Sequence, residues 1–417
     1  MAGSTDDAVR QQYEELPYPA RDPADEAKRL IVGSPSHLLE IEHYVFAGRR
    51  AGALRALVAG GGTGDGAIML AQHLAERGSG EVVYLDISGP ALAIAKARAE
   101  ARGLANISFH QGSLLAIDML ELGRFDYIDC CGVLHHLADP GEGILALGEA
   151  LAEDGGMGLM LYGGLGRTGV YPLQQALRRL TGGTELAERL SLARRLVNDL
   201  PQTNWFRRNS FLGDHLSGDD AALFDLLLHA RDRAYDVSGI AGLAERAGLR
   251  LTGFVPPVAY DPTIYLGDPE LKDRAAALPP LEAAALAEEL AGNLKTHIFY
   301  VVRAENEAGG KVKAPAPELV PVLREHEAAP LARSLARSGA LKLNLDGIEA
   351  RFELPKAAAE VVRLIDGRRT LAAILDELRG RTPRLSGAAV EALFAQLYRV
   401  LNPLNILLFG GPNAPAR

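Results

Sequence analysis

Gly60, Gly62 and Gly64 stand at alternate positions in LRALVAGGGTGDGA, and Asp86 closes the apolar run EVVYLD that follows. An apolar run that ends in a glycine-rich turn and then opens a helix lets the backbone turn tightly and come close to a ligand, because a Cβ there would collide with it. An acid at the end of the next run accepts hydrogen bonds from both ribose hydroxyls of an adenosine. Together they suggest adenosine binding with moderate specificity. Gly62, Gly64 and Ala67 also satisfy the G-x-G-x-x-A spacing of nicotinamide and flavin enzymes.

Proton chemistry has its own candidates. His135 and His136 follow the apolar run FDYIDCC, at the edge where such folds bind ligands. With a reference pKa of ~6.5, an imidazole there can take a proton from a hydroxyl, thiol or amine. The competing reading makes them structural, orienting the loop through backbone hydrogen bonds. Tyr13 and Tyr18 either close over a ligand as a lid, with a phenol near the reacting group, or anchor the N-terminal segment on the core. Further along lie Asn204, Trp205, Arg207 and Arg208, then His229, Arg231, Asp232, Arg233 and Tyr235. The single tryptophan beside two arginines suits an anionic or planar partner, whereas Arg231, Asp232 and Arg233 also read as a surface ion-pair cluster. Cys130 and Cys131 are adjacent in an apolar run, with no Cys or His at metal spacing, so they read as core residues and no metal site is assigned.

These residues need elements to hold them. LRALVA, EVVYLD, ISFHQG, FDYIDCC and GMGLMLY read as buried strands, with helices at 67–77 and 90–102 between them, which implies a parallel sheet. Residues 171–233 read as entirely helical. The α/β rhythm then returns with a helix at 238–247, the strand RLTGFVP, an alanine-rich helical stretch near 269–293 and the strand THIFYVVRA. EAGGKVKAPAPELVP reads as a tether. The expected divisions are an N-terminal helical lead-in at 1–50, a core at 51–308 with a helical insert at 166–235, and a small C-terminal domain at 315–417.

The totals restrict the function. With 417 residues, 48% hydrophobic and 23% charged, the chain has material for two or three globular domains. A net charge of -9 argues against general nucleic-acid binding. No apolar stretch reaches the length of a membrane span, the N-terminus lacks the pattern of a signal peptide, and two cysteines form no disulfide framework, so a cytoplasmic protein is expected. NPLNILLF near the end can pack on the core or across a homodimer interface.

Residues 54–165 and 236–305 resemble the class I S-adenosylmethionine-dependent methyltransferase superfamily. AGGGTG resembles its first motif, HQGSLL its adenine loop and FDYIDCCGVLHHLADP its fourth-strand segment, which is the most specific of the three. The resemblance implies a seven-stranded Rossmann-like sheet with a helical insert, closed by an antiparallel hairpin. It implies S-adenosylmethionine as cofactor, with contacts from Tyr13, Gly60, Gly62, Thr63, Gly64, Asp86, Ile87, Ser113, Leu114 and Gly132. It places His135, His136 and Tyr18 as catalytic candidates. Two positions depart from the pattern: Val58 stands where an acid is common, and Ser113 where an aspartate is common. ARFELPKAAAEVVRLIDGRRTLAAILDELRG resembles a winged-helix-like peptide-binding module of ribosomal peptide maturation, which favours a peptide or protein acceptor. A small-molecule O- or N-methyltransferase and a catalytically silent partner-binding fold are the alternatives.

Overall fold

The computed structural model describes residues 5–49, 52–345, 347–381 and 386–411, so the boundary expected at residue 50 lies outside the described residues. Seven strands form the central sheet: β1 (Arg55–Ala59), β2 (Glu81–Asp86), β3 (Ile107–Gln111), β4 (Phe125–Cys131), β5 (Leu151–Tyr162), β6 (Leu249–Val255) and β7 (Thr296–Arg303). Their order is β3-β2-β1-β4-β5-β7-β6. The first five are parallel, and β7 runs antiparallel to both β5 and β6. Alternation along β1 shows why these strands read as unbroken apolar runs. Leu57 and Ala59 join one apolar cluster with Ile128 and Leu159, while Ala56 and Val58 join another with Tyr84 and Tyr127. Both faces are buried, so neither can be polar.

Helices α1 (Thr5–Glu15) and α2 (Leu38–Tyr44) precede the sheet, and α3 (Asp65–Arg77), α4 (Gly89–Ala101) and α5 (Pro140–Ala150) connect its parallel strands. Local chemistry sets the starts of two of them. Ser88 accepts from the Ala91 amide to begin α4, and Asp139 accepts from the Gly141 amide to begin α5, each with proline in the first turn.

The stretch expected to be one helical run is broken into α6 (Val170–Leu180), α7 (Leu186–Asp199), α8 (Trp205–Arg208) and α9 (Asp220–Leu227). The breaks contain Gly183 and Gly218, both left-handed with φ of 80° and 78°, and Pro201, which outweigh the helical Leu and Arg periods around them. This insert has its own apolar core, in which Leu173, Leu177, Phe206 and Leu227 meet. Helices α10 (Val237–Arg246), α11 (Pro269–Ala276) and α12 (Pro280–Ala291) follow.

The tail comprises β8 (Val320–Leu323), α13 (Ala328–Ser338), β9 (Ala340–Leu345), β10 (Ile348–Glu353), α14 (Ala358–Leu364), α15 (Leu371–Arg381), α16 (Gly387–Leu401) and β11 (Leu407–Gly410). Strands β9 and β10 form a hairpin, and β8 pairs antiparallel with β11. The segment read as a tether is built into the fold. The Gly310 amide donates to the Val45 carbonyl at 2.6 Å and the Val312 amide to the His43 carbonyl at 3.0 Å, and Val312 and Leu319 are buried. Val320, Val322 and Leu408 share one cluster with Leu39, Tyr44 and Tyr300, so NPLNILLF is spent within the chain, against α2. Its apolar side chains outweigh the tether-like composition of the residues before it.

Candidate functional site

The glycine turn has the shape the sequence implies, for a partly different reason. Gly60, Gly62 and Gly64 have φ of 72°, 52° and 104°, a region that side-chain-bearing residues rarely adopt. A Cβ on Gly60 would strike the Val133 side chain, one on Gly64 would come within 2.9 Å of the Ala95 methyl, and one on Gly62 within 2.7 Å of the Tyr18 carbonyl oxygen. The first obstacles are therefore protein atoms, and at Gly62 the obstacle is the N-terminal segment itself.

Asp86 is buried beside this turn. It accepts from the Gly62 and Ser88 amides, each at 2.8 Å, and burial raises its pKa while those amides pull it back. A carboxylate offers about four acceptor positions, so capacity remains for ligand hydroxyls. Tyr84 donates to the Gly62 carbonyl at 2.6 Å and holds the turn from below. Ser113 begins a short turn by accepting from the Leu115 amide at 3.2 Å, with Leu114 buried behind it. Ile87 follows Asp86, and Gly132, with φ of 78°, donates its amide to Met160 at the end of β4.

The N-terminal segment lies across the turn. Thr63 donates to the Pro19 carbonyl at 2.7 Å and Ser88 to the Tyr13 carbonyl at 2.9 Å. Arg21 forks onto Asp65, and Arg98, 1% exposed, reaches Asp65, Glu26 and the Thr63 carbonyl. A lid position for this segment thus rests on ion pairs as well as apolar packing.

Beyond Tyr13 lies a cluster of buried polar groups. His136, Asp225 and His229 bring two ring nitrogens and a carboxylate oxygen within 4.8 Å of one another. Tyr13 contacts His229 Nε2 at 3.2 Å, the His136 and His229 rings stack at 3.8 Å, and Tyr162 donates to Asp225 at 2.6 Å. Two backbone bonds assign the tautomers. The Arg231 amide donates to His229 Nδ1 at 3.0 Å, so a neutral His229 carries its proton on Nε2. The Arg231 carbonyl only accepts, so a neutral His136 carries its proton on Nδ1, 2.8 Å away, and leaves Nε2 bare. A three-ligand metal centre needs both Nε2 atoms bare. One base, one N–H donor and one carboxylate suit proton handling instead.

Burial raises the pKa of Asp225, which the nearby His136 partly offsets, and burial lowers that of His229. Burial likewise lowers the pKa of His135. That ring stacks on Tyr162 at 3.9 Å, and neither of its nitrogens has a hydrogen-bond partner.

The sequence-derived candidates fall into two groups. His136, His229 and Tyr13 converge, and Tyr18 lies against the turn through its carbonyl. Trp205 is 63% exposed on the surface of the insert, with Arg208 over its ring at 5.5 Å. Asp232 forms no surface cluster: its side chain is buried and takes Arg167 at 2.7 Å and Gln174 at 3.0 Å, while Arg167 covers the Tyr162 ring at 3.8 Å. Sequence reasoning missed Asp225, Tyr162 and Arg167. Only Asp225 left a signal, as a lone acid inside the apolar run AALFDLLL.

Sheet order, the antiparallel seventh strand and the glycine turn with its following acid define a Rossmann-like methyltransferase. A methyltransferase-domain family model matches residues 57–157. The uncharacterized protein syc1184_c of Synechococcus sp. is 31% identical over 316 residues, 73% of each chain. The ubiquinone biosynthesis O-methyltransferase of Acinetobacter baylyi is 30% identical over 93 residues, 22% of this chain and 38% of that one. Among solved structures, PKMT2 from Rickettsia typhi superposes with a TM-score of 0.60 at 14% identity, covering 96% of this chain and 75% of that one. The same protein in complex with AdoHcy gives the same score, covering 76% of its chain. The chain belongs to the family of the Synechococcus protein and is an S-adenosylmethionine-dependent methyltransferase. Among the described residues, no helix is long and apolar enough to cross a membrane.

Proposed function

We propose that the chain transfers the methyl group of S-adenosylmethionine to a nucleophile of a peptide or protein. The observation that carries this reading is the buried cluster of His136, Asp225 and His229 behind Tyr13, in which the Arg231 carbonyl holds His136 Nδ1 and leaves Nε2 to act as the base. Gly60, Gly62, Thr63, Gly64 and Asp86 hold the nucleoside and its chain, with Ile87, Ser113, Leu114 and Gly132 around the base and Tyr13 as the cover. The bound cofactor supplies an electrophilic methyl group on a sulfonium sulfur. His136 takes the proton of the acceptor, Asp225 stabilises the resulting imidazolium, and the His229 N–H and Tyr13 hydroxyl orient the acceptor. His135 packs behind them, and Tyr18 acts through its backbone as part of the lid.

A polypeptide acceptor is favoured by a trench beside the lid. Leu16 and α7 enclose about 730 Å³, lined by Leu16, Leu190, Arg194, Arg195 and Asp220. The winged-helix-like peptide reader in the tail belongs to the same reading, as does a cytoplasmic setting for the two free cysteines. The burial of His136, Asp225 and His229 favours a second reading, a small-molecule O- or N-methyltransferase. Methyl-labelled cofactor incubated with cell extract separates them. The expected result is label in the protein fraction, lost with His136→Ala. Label confined to the small-molecule pool selects the second reading, and no transfer at all overturns both.

A further inference from the structure

On the far side of the molecule from the glycine turn, the edge strand β6, the connecting segment 309–313 and helix α16 enclose a cavity of about 390 Å³. Arg250, Lys311 and Lys313 line it, together with Thr252, Tyr398 and Asn402, and no carboxylate is among the lining residues. That composition is unusual for this chain, whose net charge is -9.

None of the three cations is neutralised by an acid among the described residues. The Arg250 guanidinium donates to the carbonyls of Asn306 and Gly309, at 2.9 and 3.3 Å, which fixes its position and leaves its charge uncompensated. Lys311 is half-buried, with its ammonium 5.6 Å from the centre of the Tyr44 ring, and desolvation alone lowers its pKa. The Tyr398 hydroxyl is buried without a hydrogen-bond partner. A buried orphan hydroxyl and a desolvated unpaired ammonium both cost stability unless something satisfies them. The cavity exceeds what a single water or chloride fills, and it lies at the lower end of the range of small-ligand sites.

We propose that this cavity binds a small multiply charged oxyanion, a phosphate ester or a polycarboxylate, held by Arg250, Lys311, Lys313 and the Tyr398 hydroxyl. The ligand closes a junction of three elements: Arg250 and Thr252 belong to the sheet, Lys311 to the connection, and Tyr398 and Asn402 to the tail. Binding therefore joins the tail more firmly to the sheet, and its first readout is thermal stability. Lysine and arginine supply charge here while the hydroxyl supplies direction.

Calorimetry and thermal melts of the full-length protein test the site, using pyrophosphate, inorganic phosphate and citrate in turn, with sodium chloride holding ionic strength constant. At least one oxyanion is expected to bind saturably and raise the melting temperature above the chloride control. Pyrophosphate alone assigns a phosphate ligand, and citrate alone a polycarboxylate. Lys311→Met is expected to weaken binding about tenfold or more, and to raise the melting temperature of the anion-free protein, because it removes an unpaired desolvated charge. Tyr398→Phe, which keeps the ring, is expected to weaken binding about threefold. Both variants should bind S-adenosylhomocysteine as the parent does. The proposal is overturned if none of the three oxyanions does more than chloride, or if both variants bind as tightly as the parent.

Discussion

The glycine turn at residues 60–64 and the buried cluster around His136 are linked through Tyr13, whose carbonyl accepts from Ser88, two residues after Asp86, and whose hydroxyl meets His229. They are made of different material. The turn is built from backbone: left-handed glycines, amide donors to Asp86, and a carbonyl held by Tyr84. The cluster is built from side chains contributed by α1, the loop after β4, β5 and the insert, with Arg231 adding backbone partners. A site built from backbone depends on a short local sequence. A site built from side chains depends on the whole insert being in place.

The comparison makes its largest prediction at His136. His136→Gln is expected to lower kcat by about 10²–10⁴-fold while leaving the affinity for S-adenosylhomocysteine unchanged, because the turn does not depend on it. A parallel loss of cofactor affinity would break the division into halves.

The lid comes next. Arg98→Met removes one partner of a buried ion cluster with Glu26 and Asp65, so denaturation should show a loss of about 3–5 kcal/mol. An effect within experimental error would mean that the lid is held by apolar contacts alone.

Asp86→Ala should weaken cofactor binding by more than about tenfold, since each charged hydrogen bond contributes roughly 1.5–3 kcal/mol. Turnover at saturating cofactor should fall far less than it does in the His136 variant. Equal losses of turnover would show the two halves to be coupled.

The smallest effect is a pH dependence. Burial raises the pKa of Asp129 to about 6, despite its bond from Ser36. A carboxyl whose folded pKa exceeds its unfolded value favours the folded state when protonated. Its contribution is intact at pH 4 and below and declines as pH rises to about 6. Asp129→Asn should therefore gain stability relative to the parent across that window, on the order of 2 kcal/mol, and keep it above. Denaturation at pH 4 and pH 7.5 checks it. A difference independent of pH would place the proton elsewhere.

Asp129 also shows what the sequence made legible. The strand FDYIDCC could be read directly, and so could the glycine turn, because both express constraints within a few residues. The reading stopped at Val58, which lacks the acid common at that position. Register pairs Val58 with Asp129 on the neighbouring strand, so a carboxylate stands one strand over, a fact only the sheet supplies. Asp225 and Arg167 were hidden for a similar reason. Each meets its partner through the folding of an insert whose helices break at glycine and proline, and the Leu and Arg periods concealed those breaks. The segment before the tail looked like a tether because its composition was weighed without the apolar strand that follows it.

Helix α2 carries Glu40, Glu42 and His43 into the interior, and several of their partners lie more than 360 positions further along the chain. Asn405 reaches Glu40, the Phe409 amide donates to His43 at 3.1 Å, and the Gly411 amide to Glu42 at 3.4 Å. During synthesis these contacts cannot form until β11 and the residues beside it have been made. The methyltransferase sheet can assemble strand by strand before then, but its second apolar face stays partly uncovered until β11 arrives. A chain cut before β11 therefore exposes buried acids together with an apolar surface.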